Sequence, residues 1–144
     1  MTLEEKTLPT DFVVDEHLAQ VIRARTRKGK LPCAVAFAIA AQQGMSPRLV
    51  GQTADVLQIH LSHCQLGLFG YPGGKKGWEL AKSTPLLLQD KIQAALRAAV
   101  MESGTLACTQ LWELAAQFQV PKLRIGQLCD ELGIKITPCQ LGAF

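Results

Sequence analysis

Hydrophobic and polar positions along this chain change period several times, and the changes mark its elements. From Asp15 to about Arg25, Leu18, Val21 and Ile22 fall on one side of a 3.6-residue period, and Asp15 stands where a helix N-cap belongs. A second apolar stretch, about 33–43, is rich in alanine, with Val35, Phe37, Ile39 and Ala40; Pro32 precedes it and Gly44 follows. Ser46 and Pro47 then open a third helix with a stripe of Val50, Ala54 and Leu57. After Gln58 the period drops to two: Ile59, Leu61 and His63 alternate with His60, Ser62 and Cys64, which predicts a strand. Gly67, Gly70, Pro72, Gly73, Gly74 and Gly77 predict a turn-rich stretch.

The same order then returns. Helices are expected over about 86–100, 107–118 and 121–132, with a strand at Ile134–Thr137. The residues themselves recur at an offset of 75: Cys33/Cys108, Gly51/Gly126, Gln52/Gln127, Asp55/Asp130, Ile59/Ile134 and Cys64-Gln65-Leu66-Gly67/Cys139-Gln140-Leu141-Gly142 are identical pairs. Two copies at that spacing predict an internally duplicated small domain rather than a solenoid. The expected fold is mainly α with short β-strands: an arm over 1–14, one repeat over 15–72, a Gly/Lys-rich wing or linker over 73–84 and a second repeat over 85–144. Gly51 and Gly126 lie inside predicted helices, where glycine is unfavourable by about 1 kcal/mol against alanine. A close backbone neighbour is expected there, a helix by preference.

Composition narrows the class. An apolar share of 48% and a charged share of 19% over 144 residues describe a globular protein, and the longest apolar run, Ala34–Ala41, is too short to span a bilayer. The opening residues resemble no secretory leader, and an odd count of five cysteines without a C-x-x-C pair fits a reducing compartment, so a cytoplasmic location without membrane association is expected. Net charge is +3, permissive of nucleic acid without demanding it. The charge is uneven: Arg23, Arg25, Arg27, Lys28 and Lys30 crowd eight positions, and Lys75 and Lys76 share the glycine-rich stretch.

The segment Ile39 to Gly51, two helices around a Gly44 turn with a capped second helix, resembles the centre of winged helix-turn-helix domains. The resemblance covers about 40 residues of each repeat. It implies two winged-helix-like repeats, with Ile59–Lys76 as the β-hairpin wing of the first, and double-stranded DNA binding in a transcription regulator. It assigns base-edge contacts to the third helices: Ser46, Arg48, Gln52 and Thr53 in the first repeat, and Lys122, Arg124 and Gln127 in the second. Arg23, Arg25, Arg27, Lys28, Lys30, Lys75 and Lys76 would hold phosphates.

Two other readings compete. Asp55, Asp130 and Glu131 on those helices would repel phosphate, which favours a protein-interaction adaptor, acting on a partner protein or as a homodimer. The recurring Cys33, Cys64, Cys108 and Cys139, with Cys129, fit small buried hydrophobes; a redox or metal sensor is the third reading. His60 and His63 beside Cys64 are metal-ligand types, but Lys135 and Pro138 replace the histidines in the second repeat. No cofactor is expected. Gly67–Gly77 does not fit the phosphate-loop pattern, because Phe69 stands where its first glycine belongs, and no G-x-S-x-G occurs, so no enzyme is expected.

Overall fold

The computed structural model describes residues 12–71, 76–80 and 84–143. Six helices and one small sheet make up the described chain, and the fold is mainly helical α+β. Two compact units emerge: the described residues of Met1–Cys64 together with those of Gln140–Phe144, and Gln65–Cys139.

The first unit begins with α1, Glu16–Arg25, whose cap is Asp15: the Leu18 N–H donates to Asp15 Oδ1 at 2.8 Å. A tight turn leads to β1, Lys30–Pro32, then α2, Cys33–Gln43, and α3, Pro47–Val56. Gly44 ends α2 in the left-handed region at φ 63°, and Ser46 caps α3 by accepting from the Leu49 N–H at 3.2 Å. The three helices pack mutually, burying Leu18, Ile22, Ala36, Ile39, Val50 and Ala54. β2, His60–Ser62, returns alongside β1 in parallel, pairing Leu31 with Leu61 and Pro32 with Ser62.

That pairing differs from the expected wing. A wing is an antiparallel hairpin, whereas β2 meets β1 in parallel after the crossover through α2 and α3. Among the described residues no strand follows β2. Instead Gly67 and Gly70, both at φ 82°, turn the chain, and a short 3-10 helix forms at Gly77–Leu80. The buried side of β2 also differs from a simple alternation: Ser62 and Cys64 are buried, while His60 and His63 face out.

The second unit contains α4, Leu86–Ser103, α5, Cys108–Phe118, and α6, Lys122–Glu131. The bounds of α5 and α6 fall 75 residues after those of α2 and α3. The backbone bonds repeat likewise. Met45 N–H donates to Ala40 O and Val120 N–H to Ala115 O, both at 2.9 Å. Ile59 N–H donates to Ala54 O and Ile134 N–H to Cys129 O, also at 2.9 Å. The strand expected at Ile134–Thr137 shrinks to one parallel bridge, Leu106 to Ile136, at the positions matching Leu31 and Leu61.

The two helix glycines meet backbone, as expected, but not that of a helix. A Cβ at Gly51 would overlap the Leu141 carbonyl oxygen, with the carbonyl carbon at 2.7 Å. A Cβ at Gly126 would overlap the Leu66 carbonyl oxygen in the same way. Each Gln-Leu-Gly segment therefore presses on the last helix of its unit: 140–142 on α3 in the first, 65–67 on α6 in the second.

Candidate anion-binding site

Five successive choices in the chain build a basic concavity in the first unit. Thr26 closes α1, its hydroxyl donating back to Ile22 O at 2.7 Å. Arg27 and Lys30 exchange backbone bonds at 3.0 and 2.9 Å around Lys28 and Gly29, which sit at φ 53° and 73°. Two successive left-handed residues are the signature of a type I′ turn, and glycine takes the second position without steric penalty. Arg27 folds its guanidinium back, Nη1 donating to Ala24 O at 3.0 Å and Thr26 O at 3.1 Å, so a cation covers the negative end of α1. The ladder then brings Ser62 opposite Pro32, with His63 next to it.

The result is a cavity of about 330 Å³. Arg25, Arg27, Lys28 and Lys30 supply four cationic walls; Pro32 and Val35, at the first turn of α2, supply an apolar one. Ser62 and His63 complete it, the buried Ser62 Oγ lying 3.0 Å from His63 Nδ1. Among the described residues no carboxylate lines this cavity. Among the described residues, Arg25, Lys28 and Lys30 make no side-chain hydrogen bond or ion pair. Converging like charges favour an anion. The first-turn end of α2 carries positive dipole, which adds to the same preference.

The other expected contacts scatter. Arg23 is exposed on α1 and does not line the cavity. On α3, Ser46 is occupied as a cap, Arg48 is exposed and Gln52 is half-buried. Thr53 is fully buried and donates its hydroxyl to Leu49 O at 2.8 Å, so it is withdrawn from any base-edge role. The expected readers of α6 are engaged within their own unit. Lys122 donates to Gln65 Oε1 at 2.8 Å and lies 4.6 Å from the Trp112 ring centre. Arg124, only 8% exposed, donates to Thr84 Oγ1, Gln127 Oε1 and Gln89 Oε1 at 3.3, 2.7 and 2.6 Å. Lys76 donates to Leu68 O at 2.9 Å and sits 5.8 Å from the Trp78 ring centre. Lys75 lies outside the described residues.

All five cysteines are buried and none is in a disulfide, and burial pushes the Cys129 thiol from 9.0 up to about 12. Reactive thiolates require the opposite shift. Among the described residues no three His, Cys, Asp or Glu side chains cluster as metal ligands, Cys33, Cys64, Cys108 and Cys139 included. Ser62, His63, Pro32 and Val35 were not recognisable as site residues from the sequence, because the strand register that gathers them is not written in any local pattern. Also among the described residues, no helix is long and apolar enough to cross a membrane. Comparison with family models, curated proteins and solved structures found no match for this chain.

Proposed function

We propose that this protein binds double-stranded DNA through its first unit, as a regulator of transcription. The α1–β1 turn holds phosphates with Arg25, Lys28 and Lys30, and α3 presents Arg48 and Gln52 toward base edges. The helix-turn-helix order of α2, the Gly44 turn and α3 supports this reading. The two halves descend from one duplicated unit, and the 75-residue spacing of elements, bonds and core residues supports that descent. The second half keeps the framework and has turned its cations inward.

One observation carries the reading. The residues matching Arg25, Arg27, Lys28 and Lys30 in the second repeat are Val100, Glu102, Ser103 and Thr105. The framework forms there without any of the four cations, so folding does not explain the basic cavity of the first unit. Binding of the full chain to a mixed-sequence duplex, followed by fluorescence anisotropy between about 50 and 200 mM salt, tests this. Log affinity should fall linearly with log salt, and Lys28→Ala with Lys30→Ala should lower the slope by about 2. Absence of binding at about 50 mM salt, or binding indifferent to salt, overturns the proposal.

A second reading, a protein-interaction adaptor, draws on α4, where Leu86 and Leu87 are each 72% exposed and Met101 is 87% exposed. It expects a homodimer or complex by light scattering that Leu86→Asp with Leu87→Asp dissolves and Arg48→Ala does not.

A further inference from the structure

We infer that the basic cavity of the first unit is a discrete site for a small phosphate monoester of mononucleotide size. The inference goes beyond the duplex reading and does not require it. The cations proposed to meet duplex phosphates also converge on a concave space. Its volume of about 330 Å³ is at the small end of ligand sites.

The chemistry of the lining divides in two. Lys28 and Lys30 project from a rigid turn whose backbone bonds, at 2.9 and 3.0 Å, fix where the ammonium stems originate. With Arg25 and Arg27 they provide charge for a dianionic phosphate, and the Arg25 guanidinium adds paired donors, Arg27 Nη1 being held by Ala24 O and Thr26 O. Pro32 and Val35 add an apolar surface suited to a ring or sugar face. The Ser62 hydroxyl, 2% exposed and 3.0 Å from His63 Nδ1, adds a buried polar group to the lining. Small-molecule pockets combine such an apolar wall with a few convergent polar groups.

The second repeat supplies an internal control. At the positions of Pro32 and Val35 it has Ala107 and Gln110, and Gln110 Oε1 is consumed in accepting from the Ala107 N–H at 2.8 Å. In the first unit Pro32 has no N–H to donate, so α2 has no counterpart of this bond, and valine stands where the glutamine would be. Val35 is thus a cavity-lining side chain where the second unit uses a cap.

Isothermal titration of the full chain with adenosine monophosphate, inorganic phosphate and adenosine tests the site. Adenosine monophosphate should saturate one site per chain, phosphate should bind more weakly, and adenosine should bind at least about tenfold more weakly still. Lys28→Ala with Lys30→Ala should weaken the nucleotide by about tenfold or more. Val35→Trp, which fills the cavity without removing charge, should abolish nucleotide binding while sparing duplex binding. Arg48→Ala should leave the nucleotide unaffected and weaken the duplex. Nucleotide binding in a protein that fails to bind duplex sustains the site and removes the DNA reading. Duplex binding with no saturable nucleotide binding, or equal binding of nucleotide and adenosine, overturns the site and leaves the DNA reading standing.

Discussion

The two units solve the same folding problem and present different surfaces. In the first, a helix end, a tight turn and a parallel strand pair leave four cations facing an open cavity. In the second, the matching turn region reads Val100, Glu102, Ser103 and Thr105, and the cations of α6 are spent on internal glutamines, a threonine and a tryptophan ring. What the units share is framework: the cysteine that opens each second helix, the glycine inside each third helix, and the leucine that presses on it. What they do not share is a candidate for function. Matching positions in the two units thus separate what the framework needs from what each unit presents.

The shared framework is where substitution should do most damage. Gly51→Ala and Gly126→Ala each set a methyl against a backbone carbonyl that cannot rotate away, and each should lower stability by about 3 kcal/mol in urea unfolding. Equal losses would affirm that the two presses are equivalent; a tolerated alanine at either would break the comparison. Next comes Arg124. Its alanine variant leaves Gln89 and Gln127 without their donor and should be destabilised by about 2 kcal/mol. Leu49, the matching residue of the first unit, has no such network, so Leu49→Ala should act through packing alone.

Cys129 differs from its counterpart Ala54 in a way pH can read. Its native thiol titrates at about 12 against 9.0 unfolded, so the native state holds a proton that the unfolded chain releases. That stability is present below pH 9 and is lost as pH rises toward about 12, at about 1 kcal/mol per pH unit. Cys129→Ala should flatten this alkaline decline in thermal unfolding. Smaller again is the cap of α3: Ser46→Ala should remove about 1 kcal/mol, while Pro121→Ala at the uncapped start of α6 should change stability far less. Last, Ser103→Lys with Thr105→Lys transplants charge into the second unit. It should alter stability by no more than about 0.5 kcal/mol, and acquisition of phosphate binding there would show that charge, not cavity shape, makes the site.

Much of the helical order was legible because its signals are local. Asp15, Ser46 and Gly44 act within four residues of themselves, and the helices end close to where those residues place them. The sheet was only half legible. Alternation after Gln58 announced a strand, but β1 is three residues long and includes a proline, and nothing local distinguishes a parallel partner from a hairpin. Gly51 and Gly126 signalled a close neighbour without naming it, since Leu141 and Leu66 arrive from far along the chain. At the site, the cluster Arg23–Lys30 was visible as charge. The cavity was not, because Ser62 and His63 join it through strand register. Lys122 and Arg124 read as surface cations for the same reason: their acceptors, Gln65, Thr84 and Gln89, lie 57, 40 and 35 residues away.

The crossing of the two Gln-Leu-Gly segments has a temporal consequence. Leu141 is almost wholly buried in a unit that, outside Gln140–Phe144, consists of residues preceding Gln65. During synthesis, the half made first therefore waits for residues made after the other half has already been translated. Until then α3 carries an uncovered glycine notch, and the nascent first unit is a vacancy shaped for a short leucine-bearing strap.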